Sequence, residues 1–143
     1  MPRKILCAVD GSHASDRAAA CAVELAKATG AKLTFVHVNT VPPDRIAKTW
    51  FWDETLISAV NAQIKEQLAH GQKIAASQGL TDFSSVVVTG NRVSSAIASY
   101  AKEKEFDHIV MGTGVTNELE RLFLGSVATE VVSTAHCPVT IVR

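Results

Sequence analysis

The chain has 143 residues, 47% of them hydrophobic and 20% charged, which predicts a single soluble domain over 1–143 with a core of its own. Its 14 basic and 14 acidic side chains cancel, so no electrostatic argument favours a nucleic acid or a membrane surface as partner. Cys7, Cys21 and Cys137 are odd in number, widely spaced and without a CxxC pair. This fits reduced thiols in a cytoplasmic protein better than a disulfide framework. No signal peptide is expected, and no apolar run approaches the ~18 residues of a membrane helix.

Two kinds of segment alternate. Ile5–Val9 is a short, continuous apolar run of the kind covered on both faces of a sheet, and it stops at Asp10-Gly11-Ser12. Ser12 is a predicted N-cap for a helix over 13–29, with Asp16 in its first turn and Gly30 as its stop. Ala18, Cys21, Ala22, Leu25 and Ala28 recur at helical spacing and mark the expected inner stripe. Leu33–Val38 is a second strand. From Asn39 to Asp53, Pro42-Pro43 forbids regular pairing and predicts a loop. A long helix follows over 54–77, with Ile57, Val60, Ile64, Leu68, Gly71 and Ala75 on one stripe and Gly79 past its end. Phe83–Thr89 is a third strand and 94–103 a helix with Ile97, Tyr100 and Ala101 inward. Asp107–Met111 is a fourth strand, and 126–135 a last helix with Val127, Val131 and Val132 inward. Pro138–Val142 is the fifth strand.

Helices of ten or more residues between apolar strands call for parallel pairing with right-handed crossovers. The expected fold is therefore α/β: a three-layer, doubly wound sheet of five mainly parallel strands in the order 3-2-1-4-5. Ligands bind such sheets beyond the strand C-termini, where the order reverses. In this chain those ends are Asp10-Gly11, Val38-Asn39, Thr89-Gly90 and Met111-Gly112.

The segment after the fourth strand carries the strongest chemical signal. Met111-Gly112-Thr113-Gly114-Val115 is followed by a polar middle and by Leu124-Gly125-Ser126-Val127 opening a helix. Small residues beside a helix N-terminus let main-chain N–H groups cradle a phosphate, with the Ser126 hydroxyl as a further donor. The same residues also fit a plain turn at Gly112 and Gly114 with Ser126 capping its helix.

These residues resemble the universal stress proteins that bind ATP, which share a loop G-x-x-G-x9-G-[ST] between the fourth strand and last helix. Gly112 matches the first glycine, and Gly125-Ser126 match the final pair thirteen residues on. Ile5 to Ser12, Ile109 to Gly112, Arg121 to Val127 and Cys137 to Arg143 also look like that family, so the resemblance spans the chain. It implies a Rossmann-like domain of the adenine nucleotide alpha-hydrolase type, with ATP or AMP bound at the rim. Ala8, Val9 and Asp10 would end the first strand beneath the nucleotide, Asp10 near base, ribose or metal; as a turn residue it bonds instead to the next helix. Val38 would be an apolar wall to the adenine, or plain core. Met111 would touch base or ribose. Gly112, Gly125, Ser126 and Val127 would hold phosphates through main-chain N–H groups.

The second glycine of the motif falls on Val115, a β-branched residue unsuited to positive φ or close backbone approach. Gly114, one residue earlier, replaces it if the loop is re-registered. Glu118 and Glu120 outweigh Arg121, so a triphosphate there calls for Mg²⁺. Trp50, Phe51 and Trp52 form a lid over the base on one reading, and core filling or a subunit contact on the other.

Other chemistries find no support. There is no Gly-x4-Gly-Lys-[Ser/Thr] and no GxGxxG in the first turn, and Asp10, Ser12 and His13 are too close in sequence for a catalytic triad. The five histidines form no i,i+4 pair for a metal. The final strand belongs at a sheet edge, where an uncovered apolar strand is a pairing liability, so a homodimer through Val139 to Val142 is expected, as the resemblance also implies. The expected function is a stress-type regulatory protein binding an adenine nucleotide, with slow ATP hydrolysis at most. The alternative is a nucleotide-free, dimeric interaction module of the same family.

Overall fold

The computed structural model describes the backbone of residues 1–40, 54–114 and 124–143, and the side chains of all these except 54–61. The strands are β1 (Lys4–Ala8), β2 (Lys32–Asn39), β3 (Phe83–Thr89), β4 (His108–Gly112) and β5 (Val139–Val142). Between them run α1 (His13–Thr29), α2 (Glu54–Ser77), α3 (Val93–Glu103) and α4 (Ser126–Thr134). Every strand pairing is parallel, and the order is β3-β2-β1-β4-β5, as the alternation of elements predicts.

Strict alternation along the central strands divides the core into two layers. Ile5 and Cys7 of β1, Leu33 and Phe35 of β2 and Val110 of β4 face Ala18, Ala22, Leu68 and Ala75 of α1 and α2. Leu6, Val36, Ile109 and Met111 face Ile97, Ala101, Ala128 and Val131 of α3 and α4. Both faces of the sheet are covered, so the interior strands read as unbroken apolar runs.

Helix α1 begins where Ser12, in extended backbone, accepts the Ser15 N–H on its hydroxyl at 3.1 Å, and it ends at Gly30 with φ 71°. Its buried arc is Ala14, Ser15, Ala18, Ala19, Ala22, Val23 and Ala26. The expected stripe is thus rotated: Cys21 and Leu25 are half-buried and Ala28 is exposed. Alanine lies all round this helix, so the periodic signal was shallow, and the smallest face lies flush on the sheet. In α2, Leu68, Gly71 and Ala75 are buried as expected, Ile64 is half-buried, and Ile57 and Val60 fall outside the described side chains. A Cβ at Gly71 would lie 2.9 Å from the Phe35 ring, so glycine sets how closely α2 approaches β2.

Val132 of α4, expected to point inward, does not. It is 49% exposed, because the inward arc is set by Ala128 and Val131, one helical step away. Strand β4 starts at His108 rather than Asp107, whose carboxylate instead accepts the main-chain N–H groups of Arg3 and Lys4 at 2.9–3.1 Å. Trp50, Phe51 and Trp52 lie outside the described residues.

Candidate functional site

From β1 the chain crosses to β2 on one side, while β4 lies on its other side, so the strand order reverses between β1 and β4. The crevice at their C-terminal ends is the ligand position this topology provides.

Its floor comes from three strands. Ala8, Val38 and Met111 all pack into the layer shared with α3 and α4, and Val127 joins them from the first turn of α4. Val9 stands apart: it is buried in the opposite layer and gives its N–H to Val36 O at 2.9 Å. The Val9 carbonyl meets His37 Nδ1 at 3.1 Å, a contact with no local spacing to announce it. Asp10 is exposed and bonds as a turn residue. Its N–H donates to Ser15 Oγ at 3.0 Å, and Oδ1 accepts the Ser12 N–H at 2.9 Å. Gly11 follows with φ +83°, which turns the chain into α1.

On the β4 side, contacts with main-chain atoms dictate small residues. A Cβ at Gly112 would lie 2.9 Å from Ala14 O, so the start of α1 rests directly on the end of β4. Thr113 is buried, and Gly114 has φ +73°. Gly125 then returns to this point: its N–H donates to Thr113 O at 2.8 Å, and a Cβ on it would lie 2.5 Å from that oxygen. The two limbs of the β4–α4 connection are therefore fastened at a neck. Val115, Glu118, Glu120 and Arg121 lie outside the described residues.

The neck changes what two residues can do. The Gly125 N–H is engaged with Thr113 and is no free phosphate donor. Gly125, not Ser126, is the N-cap of α4, and having no side chain it leaves the first turn uncapped. The donors left without a partner inside the helix are, by helix geometry, the N–H groups of Ser126, Val127 and Ala128. Ser126 itself is exposed. An uncapped helix start carries a partial positive charge suited to an anion.

One polar junction near this helix escaped the sequence reading. Arg92 Nη2 donates to Glu130 Oε1 at 2.6 Å, and the buried Ser94 hydroxyl donates to Glu130 Oε2. The Ser94 bond first, and Arg92 beside it, hold the Glu130 carboxyl below the usual carboxylate range. Among the described residues no three His, Cys, Asp or Glu side chains gather as a metal site, and no helix is long and apolar enough to cross a membrane.

Known proteins match this chain along its whole length. The model of the universal stress protein family matches residues 1–143. A universal stress protein of Thermus aquaticus is 36% identical over 147 residues, covering all of both chains. Universal stress protein YxiE of Bacillus subtilis is 31% identical over 150 residues, again covering all of both. Among solved structures, a universal stress protein in complex with cAMP superposes with a TM-score of 0.76 at 28% identity, over 99% of this chain and 97% of that one. The Archaeoglobus fulgidus universal stress protein in complex with dAMP superposes at 0.73 and 23% identity, covering 100% and 98%, and shares the fold. With the family model matching the whole chain and relatives above 30% identical along its full length, the chain belongs to the universal stress protein family.

Proposed function

We propose that this protein is a stress-type regulatory protein that binds an adenine nucleotide, ATP or AMP, in the crevice above β1 and β4. The observation that carries this reading is the uncapped start of α4, held by the Thr113–Gly125 neck beside the apolar floor of Ala8, Val38 and Met111. One end of such a crevice suits a flat base and the other a phosphate. The cAMP complex of a relative 28% identical supports the same ligand class. In this reading Gly112 and Gly125 keep the backbone surfaces close, Gly114 makes the turn at the lip, and the Ser126 and Val127 N–H groups meet phosphate oxygens. Asp10 offers a carboxylate to the ribose, or to Mg²⁺ carried by a triphosphate.

Mass spectrometry of small molecules released from purified protein, with calorimetric titration by Mg-ATP, ADP and AMP, tests this proposal. Silence in both refutes it. The half-buried edge strand β5 supports a homodimer through Val139 to Val142, and three free thiols suit a reducing, cytoplasmic setting. A monomer in sedimentation at micromolar concentration would refute the dimer. A nucleotide-free interaction module is the second reading, favoured by Val115 at a motif glycine, and it is the one left standing if every titration is silent.

A further inference from the structure

A phosphate site wants a cation, and the 115–123 stretch carries Glu118 and Glu120 against Arg121. The neighbouring β3–α3 turn supplies another cation, among the described residues. Arg92 is the N-cap of α3, where its long side chain makes no capping bond, and its guanidinium reaches across to α4 to meet Glu130. Glu130 lies four residues after Ser126, so the two share a face of α4, about 6 Å apart along its axis. Side chains on a helix lean toward its N-terminus, so the Glu130 carboxylate that holds the guanidinium leans toward the first turn of α4.

The ion pair is built to exchange. The Arg92 side chain is 65% exposed and that of Glu130 40%, so the contact is weak in water. Glu130 keeps a partner when Arg92 leaves, because the Ser94 hydroxyl holds its other oxygen. To the planar donor fork of a guanidinium, a phosphate offers more charge and more acceptor oxygens than one carboxylate does.

We propose that Arg92 is the cationic partner of the bound nucleotide's phosphate, giving up Glu130 for the ligand at the start of α4. This rests on the adenine-nucleotide reading above. Glu130 is then a competitor for the guanidinium, and removing it frees Arg92 for the ligand.

Calorimetric titration of wild type, Arg92→Gln and Glu130→Gln with adenosine, AMP and ATP tests the inference, with circular dichroism confirming that each variant is folded. R92Q weakens AMP and ATP binding about tenfold and leaves adenosine unchanged. E130Q tightens AMP and ATP about threefold. If R92Q does not fold, Arg92→Lys replaces it, keeping the charge without the fork and losing about two- to threefold. A clamp that merely joins α3 to α4 would make R92Q and E130Q bind more weakly alike. That result, unchanged nucleotide binding in R92Q, or an equal loss for adenosine would overturn the role of Arg92 and leave the nucleotide reading intact. A wild-type protein silent to all three ligands overturns both.

Discussion

Substituting alanine at Gly125 and at Gly114 separates two reasons for glycine at the rim. Gly125 has φ −63° and ψ 163°, a conformation any residue adopts, so alanine there carries no backbone penalty. Its methyl would nevertheless lie 2.5 Å from Thr113 O, and relief to ordinary contact opens the neck by about 1 Å. That movement breaks the 2.8 Å bond from the Gly125 N–H. Overpacking against main chain costs about 1–3 kcal/mol and the lost bond about 1 kcal/mol, giving a total of about 2–4 kcal/mol. Gly114 is the reverse case: among the described residues nothing lies within 4 Å of a Cβ there, but φ is +73°, so alanine costs about 1 kcal/mol of left-handed strain. At this chain length, thermal unfolding followed by circular dichroism should give a Tm about 6–15 °C lower for G125A and about 3–5 °C lower for G114A. A G125A protein melting within about 2 °C of wild type, or G114A proving the worse of the two, would refute the account of the neck.

Gly71→Ala should cost about 1–3 kcal/mol in urea unfolding, since the Phe35 ring 2.9 Å from the new methyl is fully buried and has nowhere to retreat. Burial pushes the Cys7 thiol far above the ordinary range, and burial also raises Cys137. Under native alkylation followed by peptide mass spectrometry, Cys7 should therefore react last, and only as the protein unfolds. His108 is held below the ordinary imidazole range by burial, with Asp107 opposing that shift in part, while its Nε2 lies 2.7 Å from Thr140 Oγ1. The unfolded chain takes up this proton first. Stability present above about pH 6.5 is therefore lost as pH falls through the lowered folded value. His108→Gln should flatten that decline in denaturant midpoints between pH 7 and 5, and an unchanged slope would exclude His108 as its source.

The sheet and its order were legible because burial on both faces leaves unbroken apolar strands, and the glycine and serine stops at Ser12, Gly30 and Gly79 sit where helices begin and end. The inward faces of α1 and α4 were less so. In α1 small apolar residues surround the axis, and in α4 Val131 and Val132 are adjacent, so composition alone could not choose between them. The glycines after β4 could be read as a candidate site from their spacing, yet the partner of Gly125 could not, because its contact is with a main-chain oxygen twelve residues earlier. Arg92, at the N-cap of α3, and Glu130, on α4, are 38 residues apart and meet only once α3 and α4 pack side by side, so no periodicity links them.

Because Thr113 and Gly125 are joined through their own main chains, the ends of the intervening stretch keep their separation whatever side chains that stretch carries. Side-chain substitutions within that stretch should therefore leave the register of the sheet below unchanged, so its charge can be altered without cost to the strands that carry it.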